Sequence, residues 1–257
     1  PPLARRGDNR HPLAAPGELV PTCHIDHITI VSPTLAAGAE LVQTLLGVVP
    51  QQGGEHPRMG THNLLLPLGE TIFLEVIAIN PDAPPPERPR WFELDRVTST
   101  SKPFLSCWVA RTEDIGSSLG ASTEDLGPAE PMTRGDLEWL ISIPGDGSLP
   151  LGGAAPALIQ WKTGVHPASR MQDKGCRLVE LKLLHPEPKR LQSLLTSLRF
   201  GGSGPVLSIA EASAPALVAC IRTPAGLRAL GAPGLVPETG NCDEPGSSSP
   251  LPQGAGN

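Results

Sequence analysis

The feature that most constrains the fold of this chain is a strand–helix–glycine segment that occurs twice in step. Residues 27–47 read HITIVSPTLAAGAELVQTLLG, and residues 180–201 read ELKLLHPEPKRLQSLLTSLRFG. In both, an apolar strand is followed by a proline, an amphipathic helix and a terminal glycine, and the second copy has one extra residue. A glycine directly after the last periodic position is typical of a helix end. The chain therefore contains a duplicated unit that begins with a strand and a helix.

The first unit extends over about residues 24–80. Alternation predicts a strand at 24–31, with the side chains of Asp26 and His27 on opposite faces. Helical spacing predicts a helix over 34–46, and Gly47 ends it. Strands follow near 61–68 and 71–79, with a further short strand near 48–51. The predicted order is β-α-β-β, or β-α-β-β-β with the short strand.

The same pattern returns over residues 104–163 and again over 176–223. In the second unit we predict strands at 104–110, 137–143 and 157–162, with a short helix capped near Thr112. In the third unit we predict strands at 176–184, 205–210 and 216–222, with a helix at 187–199. The irregular spacing of the units excludes a solenoid of fixed period. Small βαβ units cannot cover their own sheet face and must pair with one another. The predicted fold class is α+β, built from duplicated βαβββ-type units.

The two ends of the chain differ in composition from the middle. Residues 1–22 lack any helical or alternating pattern, and residues 231–257 include a polar, low-complexity stretch; the whole chain has 31 prolines and 28 glycines. Such segments bury too little apolar surface to offset the entropy of ordering them. We expect flexible tails at 1–22 and 231–257 around one domain at 23–230. Neither a secretory signal nor a membrane span is predicted, and the initial proline leaves open whether a start is missing.

Charge and cysteine content narrow the class of partner. A net charge of −6 without an arginine-lysine cluster argues against a nucleic-acid surface. The five cysteines are odd in number, scattered, and without a CxxC pair, so a cysteine zinc site is not expected. Three of them lie in apolar strand-like runs, where reduced buried thiols are common. We therefore expect reduced thiols and a cytoplasmic protein that exists as a monomer or homodimer and binds neither nucleic acid nor membrane.

Glu75 stands out because it lies inside the most apolar run of the chain, FLEVIAI. A lone ionised carboxylate in a buried strand is costly unless it is paired, coordinated or protonated. Two interpretations follow. Either Glu75 faces the wet side of a half-exposed sheet with His27 hydrogen-bonded nearby, or it lies opposite a cation.

Several short motifs together resemble the glyoxalase-like domain family of the vicinal-oxygen-chelate superfamily. They are Asp26-His27-Ile28, Met59-Gly-Thr-His-Asn63, Phe73-Leu-Glu-Val-Ile77, the segment from Asn80 to Phe92, and Ala157-Leu-Ile-Gln-Trp161. In order and spacing they extend over about residues 24–230. The resemblance implies curved mixed sheets folded around a cup, and in metal-using members one divalent ion held by the first and last strands of each unit.

The resemblance implies that His27 and Glu75 are metal ligands. Imidazole with carboxylate suits Zn, Mn, Fe, Co or Ni as a divalent cofactor. Aligning the second unit on the first places Cys107 at the position of His27 and Gln160 at that of Glu75. Aligning the third unit places Glu180 at the position of His27. The expected triad is therefore His27, Glu75 and Glu180, and a cup without metal is the alternative.

Other residues are candidates for chemistry or substrate contact. His62 and Asn63 must point to opposite faces of an alternating strand, so one of them can line the cup; we expect His62 as a general base and Asn63 as a substrate contact. Arg90, after a proline run that should be rigid, and Arg170 are candidate clamps for an anionic substrate. A plug between units is the favoured role for Trp91, and Trp161 is expected to contact substrate.

The function expected from these features is an enzyme that acts on a small carbonyl- or oxygen-rich substrate. Glu75 or Glu180 would move a proton, with a metal polarising adjacent oxygens if one is bound. Lyase, isomerase and dioxygenase chemistry all occur in the superfamily, so the reaction type rests on the resemblance. The alternative is a non-catalytic protein that holds a small ligand in the same cup.

Overall fold

The computed structural model describes residues 22–201 and 204–231. The two predicted tails lie outside these residues, apart from Thr22 and Gly231. In chain order the strands are β1 His24–Val31, β2 Gln51–His56, β3 Thr61–Pro67, β4 Phe73–Ile79, β5 Phe104–Arg111, β6 Ala129–Arg134, β7 Leu137–Ser142, β8 Ala157–Trp161, β9 Arg177–His185, β10 Val206–Glu211, β11 Ala216–Thr223 and β12 Gly226–Gly231. The helices are α1 Leu35–Leu46, α2 Ile115–Ala121 and α3 Pro188–Ser197, with short 3-10 helices at Trp91–Arg96, Pro150–Gly153 and Pro167–Arg170.

Helix α1 forms where capping and periodicity predict it. The Thr34 side chain accepts a hydrogen bond from Ala37 N at its start, and Gly47 ends it in the left-handed region at φ 72°. Its buried face carries Val42 and Leu46, which pack on the sheet. Burial of such side chains stabilises the fold by about 1.5–3 kcal/mol each.

The first two units join into one eight-stranded sheet in the order β2-β3-β4-β1-β5-β8-β7-β6. Within each half the first strand runs parallel to the last, β1 beside β4 and β5 beside β8. The halves meet where β1 pairs antiparallel with β5. The duplicated unit and the curved mixed sheet around a cup are thus confirmed.

Three strands differ from the sequence prediction. The short strand expected at 48–51 lies at Gln51–His56, and β6 and β12 were not predicted at all. The sequence of β6, AEPMTR, contains proline and buries Met132 alone. An edge strand of this kind shows no apolar alternation, so periodicity cannot detect it.

The third segment folds into a separate four-stranded sheet, β10-β9-β11-β12. In this sheet the first strand, β9, runs parallel to β10 and antiparallel to β11. In the first two units the first strand runs parallel to the last one, so the strand order of the third segment differs from theirs. One apolar core joins this sheet and α3 to α1 and the convex face of the large sheet; it includes Ile28, Trp108, Leu181, Leu191 and Leu230. The small sheet therefore covers the back of the cup and leaves the concave face open to other residues.

The described cysteines Cys23, Cys107, Cys176 and Cys220 are buried and form no disulfide with one another, and Cys242 lies outside the described residues. Among the helices of the described ranges, none is both long and apolar enough to cross a membrane.

Candidate functional site

A narrow cavity of about 30 Å³ lies on the concave face of the eight-stranded sheet. Both halves of the sheet and the loop between β4 and β5 contribute to its wall. The residues around it are His27, His56, Asn63, Leu65, Phe73, Glu75, Trp91, Phe92, Arg134, Trp139, Ile141, Ile159 and Trp161. One buried water needs roughly 10–15 Å³. The occupant of this cavity is therefore small.

An irregularity in β1 brings Asp26 and His27 together. The pairing of β1 with β5 shifts register between Ile25 and His27, so Asp26 lies opposite no residue of β5. Such bulges re-aim side chains. His27 Nδ1 donates to Asp26 Oδ1 at 2.6 Å. The prediction that these two side chains point to opposite faces of the sheet is therefore wrong.

The Asp26 carboxylate is completely buried and accepts from three side chains. Besides His27, Trp161 Nε1 donates to Oδ2 at 2.9 Å and His166 Nε2 at 3.0 Å. Burial alone would raise the pKa of Asp26, but the hydrogen bonds from His166 and His27 hold it well below its usual value. An ionised carboxylate only accepts, so it fixes Nδ1 of His27 as the donor and leaves Nε2 facing the cavity.

Glu75 faces that nitrogen from the neighbouring strand. Its Oε2 lies 3.8 Å from His27 Nε2, and both side chains are 7% exposed. Asn63 Nδ2 donates to Glu75 Oε1 at 2.6 Å, and Thr29 Oγ1 donates to Oε2 at 3.4 Å. Glu75 is thus tolerated in an apolar strand because three polar side chains of the cup surround its carboxylate.

The amide of Asn63 connects Glu75 to the opposite edge of the sheet. Its Oδ1 accepts from Gly54 N at 2.8 Å and from Arg134 Nη1 at 3.3 Å. A Cβ on Gly53 would lie 2.0 Å from Asn63 Oδ1, so this position of Asn63 depends on a glycine in β2. The edge strands β2 and β6 come close here, and Arg134 extends from β6 into the gap.

His56 lies beside Arg134 and is buried. Burial lowers the pKa of His56 to about 3, and the nearby charge of Arg134 contributes. Its Nδ1 is 3.1 Å from Thr61 Oγ1, and Nε2 lies 3.5 Å from Arg134 Nη1. Since arginine can only donate, His56 is neutral, with the hydrogen on Nδ1.

Aromatic rings form much of the cavity wall. Trp91 stacks on Phe92 with ring centroids 5.4 Å apart, and Trp139 lies 5.4 Å from Trp161. Phe73 stacks on the His27 imidazole at 4.5 Å. Trp91 was expected to act as a plug between units. It belongs to an apolar cluster that also contains Met132, Trp139 and Ile159 of the second unit.

The structure brings together four of the residues expected from the sequence. His27, Glu75, Asn63 and Trp161 all line the cavity. Asn63 faces the cup, whereas His62, its neighbour in β3, is half-buried and does not line the cavity. Burial lowers the pKa of His62.

Three other expected residues lie away from the cavity. Glu180 is in β9 of the small sheet, where Ser208 Oγ donates to it. Arg90 Nη1 donates to Asp95 at 2.6 Å, and Arg170 Nη1 donates to the exposed Asp136 at 2.7 Å. The triad of His27, Glu75 and Glu180 therefore does not meet in this structure, because the third segment forms its own sheet.

The donor set of the cup does not fit a resident catalytic metal ion. Catalytic zinc sites use three protein ligands. His27 and Glu75 are close enough to share an ion, but no group of three His, Cys, Asp or Glu that could hold one exists within residues 22–201 and 204–231.

Strand register shows why the second half supplies no further ligand. Glu75 lies beside Thr29 in the first half, and the equivalent pair in the second half is Ala157 beside Val109. Gln160, which the sequence alignment placed at this position, instead bonds Ile115 N and Glu113 O near α2. The cup therefore provides two candidate metal ligands, His27 and Glu75, both from the first half of the sheet.

Sequence reasoning missed the roles of Asp26, His56, Arg134 and His166. Asp26 belongs to one of the motifs that resemble the glyoxalase-like family, but no role was assigned to it. Arg134 lies in β6, which was not predicted. The one usable signal was Gly53-Gly54 in front of His56, because glycines inside a strand often mark close approach of another group.

Comparisons with known proteins place the chain among relatives of the same fold. A family model described as "Glyoxalase-like domain" matches residues 25–199, which is more than half of the chain. No curated protein sequence matches. A hypothetical protein from Staphylococcus aureus has a similar structure, with TM-score 0.53 and 12% identity over 75% of this chain and 88% of that one.

Two further solved structures are more distant. A variant of methylmalonyl-CoA epimerase from Streptomyces coelicolor in complex with 2-nitronate-propionyl-CoA has TM-score 0.38 and 16% identity over 56% of this chain and 99% of its own. A variant of homoprotocatechuate 2,3-dioxygenase from B. fuscum has TM-score 0.42 and 11% identity over 80% of this chain and 58% of its own. On the family match, the chain belongs to the glyoxalase-like domain family.

Proposed function

We propose that this protein is an enzyme that moves a proton on a small carbonyl compound, with Glu75 as the base and His27 as its partner. The observation that carries the proposal is the 3.8 Å separation of His27 Nε2 and Glu75 Oε2, two largely buried side chains at the wall of the cavity. General acid–base catalysis needs such groups within reach of one substrate atom and with little water around them. The family membership supports an enzyme without naming its reaction.

The hydrogen bonds behind the pair support this role. Asn63 donates to Oε1 of Glu75 at 2.6 Å, whereas Oε2 accepts the longer bond from Thr29 at 3.4 Å, so Oε2 is the oxygen more weakly held and better placed to face a substrate. Asp26 holds the His27 ring from its other nitrogen. Both groups are therefore oriented before a ligand enters, which is the arrangement that keeps reorganisation small during a reaction.

The proposed step is abstraction of a proton from the carbon next to a carbonyl. The C–H bond breaks, Glu75 Oε2 accepts the proton, and the electron pair of that bond moves into an enolate. Return of the proton to the same carbon or to its neighbour completes an exchange or an isomerisation. His27 Nε2 lies 3.8 Å from Glu75 Oε2, which is beyond direct hydrogen-bond reach, so a proton passes between them through one bridging water or through the substrate. No step uses a metal ion, because the cup provides two donors where three are needed.

Solvent hydrogen exchange tests this function directly. In D₂O, the wild-type protein should speed deuterium incorporation next to the carbonyl of some members of a panel of small 2-oxo acids, hydroxy ketones and diketones, followed by NMR. Glu75→Gln keeps the shape and the bond from Asn63, and should lower the rate by about a hundredfold or more.

Glu138→Gln is the matched control, because Glu138 is an exposed glutamate of β7 outside the cavity. It should exchange at the wild-type rate. Equal rates for Glu75→Gln and wild type would contradict the assignment of the base.

Elemental analysis of the purified protein, with exchange measured before and after treatment with a chelator, tests whether the protein binds the divalent ion that the family resemblance implies.

The aromatic wall favours a second candidate, a binding protein that holds a small flat ligand. Trp91, Phe92, Trp139 and Trp161 all line the cavity, and such rings stack on planar molecules. This function predicts ligand-dependent quenching of tryptophan fluorescence without any exchange by the wild-type protein. Exchange that Glu75→Gln abolishes would favour the enzyme.

A further inference from the structure

We propose that Arg134 binds a carboxylate of the substrate, so that the cup takes small carboxylic acids whose carbonyl lies next to the acid group. The inference rests on the proposed function for the identity of the reacting group. The position of the anion comes from Arg134 itself.

The guanidinium of Arg134 is half-buried at the cavity and has unused donors. Nη1 donates to Asn63 Oδ1 at 3.3 Å and lies 3.5 Å from His56 Nε2. Across residues 22–201 and 204–231, Nε and Nη2 donate to no protein acceptor, and no carboxylate lies within salt-bridge distance of the group. Its Nε–Nη2 edge therefore presents the paired donors that bind a carboxylate through two hydrogen bonds.

Neighbouring arginines are already paired with carboxylates. Arg58 and Arg88 both lie on Glu130, and Arg90 lies on Asp95. Arg134 differs from them in pointing into the cavity beside a neutral His56 and a neutral amide. Burial lowers the pKa of Arg134, with the charge of Glu75 acting in the opposite direction. The guanidinium is partly desolvated and no carboxylate of the described residues contacts it directly, so a bound anion would supply a charge-assisted partner that the fold leaves out.

The backbone nearby is shaped around this side chain. A Cβ on Gly54 would lie 2.6 Å from Cδ of Arg134, so any larger residue there would displace the arginine. Arg134 thus enters the cup across a strand edge that only glycine leaves open. The position is a built feature of the fold and not a surface side chain lying over the mouth by chance.

Arg134 and Glu75 are held at a fixed spacing by one amide. Asn63 accepts from Arg134 through Oδ1 and donates to Glu75 through Nδ2. A ligand with its carboxylate on Arg134 has its remaining atoms directed along this amide toward Glu75 and His27. A 2-oxo acid fits, since its carboxylate adjoins a carbonyl and the carbon beyond carries the proton to be moved. The narrow cavity favours a short chain.

Paired probes that differ in charge test the clamp by binding alone. Pyruvate and its neutral analogue 2,3-butanedione, and benzoate and benzamide, are titrated against the full chain by calorimetry and tryptophan fluorescence. The wild-type protein should prefer the acid in at least one pair. Arg134→Gln should weaken binding of that acid roughly tenfold or more and leave the neutral analogue unchanged. Arg134→Lys should recover part of the loss, because it restores charge without the paired donors.

Arg177→Gln is the control, since Arg177 is exposed, bonded to Asp173 and not part of the cavity wall. It should bind like wild type. A wild-type protein with no preference for either acid, or an acid that binds Arg134→Gln as tightly as wild type, would overturn the clamp.

Circular dichroism and thermal unfolding of Arg134→Gln show that a loss of binding is not a loss of fold. Glu75→Gln separates the two proposals. If acid binding depends on Arg134 and no variant shows exchange, the carboxylate-binding role of Arg134 is supported and the proton transfer by Glu75 is contradicted. If exchange depends on Glu75 and the KM for pyruvate is the same in Arg134→Gln and wild type, the proton transfer is supported and the role of Arg134 is contradicted.

Discussion

The Nε2 nitrogen of His27 lies 3.8 Å from Oε2 of Glu75, and each side chain is held from behind by a buried partner. Asp26 holds the imidazole, and Asn63 holds the carboxylate. The two partners lie at opposite sides of the pair, on β1 and β3. Pairs in which one hydrogen-bonded group orients another are a common basis of acid–base and nucleophilic chemistry. The predictions below test this arrangement and the packing around it.

Replacement of Asp26 by asparagine should be strongly destabilising. The carboxylate accepts from His27, His166 and Trp161 with no exposure to solvent, and an amide would direct its own N–H groups at one of these donors. Breaking a buried charged interaction of this kind costs about 3–5 kcal/mol. Urea unfolding measures the loss, and Asp173→Asn, at an exposed ion pair, should change little. A small effect of Asp26→Asn would contradict the central role of Asp26.

The pH dependence of stability should reflect the buried His56. Its pKa falls from about 6.5 in an unfolded chain to about 3 in the fold because the ring is buried beside Arg134. Between these values the unfolded chain binds a proton that the folded chain does not. The contribution of His56 is therefore fully present above about pH 6.5 and is lost as pH falls toward 3, at about 1.4 kcal/mol per pH unit. Unfolding by urea from pH 7 to pH 4 should show this slope, and His56→Gln should reduce it. An unchanged slope in His56→Gln would assign the effect to other groups.

Gly53→Ala should damage the site through Asn63. The added Cβ would lie 2.0 Å from Asn63 Oδ1, so the amide must move and its hydrogen bond to Glu75 must weaken. We expect a loss of about 1–3 kcal/mol, typical of overpacking, and slower deuterium exchange. Gly120→Ala is the matched control: its Cβ meets nothing within 4 Å and lies in helix α2, so it should be neutral or stabilising. Wild-type exchange in Gly53→Ala would show that the position of Asn63 is not needed.

The two sheets should unfold together as one domain over residues 23–230. Leu181 of β9 is fully buried in the core shared with Ile28 and Trp108 of the large sheet. Leu181→Ala should cost about 2–5 kcal/mol and leave a single transition seen equally by fluorescence and circular dichroism. Two separated transitions would indicate that the small sheet is an independent domain.

The sequence alone determined the three helices, most of the strands and the family resemblance. Helical spacing and Gly47 predicted the position and the end of α1, and the isolated carboxylate of Glu75 marked a polar site within an apolar strand. The motifs around His27, Asn63 and Trp161 indicated the glyoxalase-like family. These signals are readable because capping, periodicity and burial of a lone charge depend on residues close together in the chain.

Only the tertiary structure decided which of these residues meet. The bulge that joins Asp26 to His27, the separate sheet that holds Glu180, and the edge strand that carries Arg134 into the cup all follow from pairing between distant strands. A shift of one residue in such a pairing moves every side chain to the other face, and no local pattern records it. Glu75, His27 and Asn63 could therefore be recognised in the sequence, whereas the roles of Asp26 and Arg134 behind them could be found only in the fold.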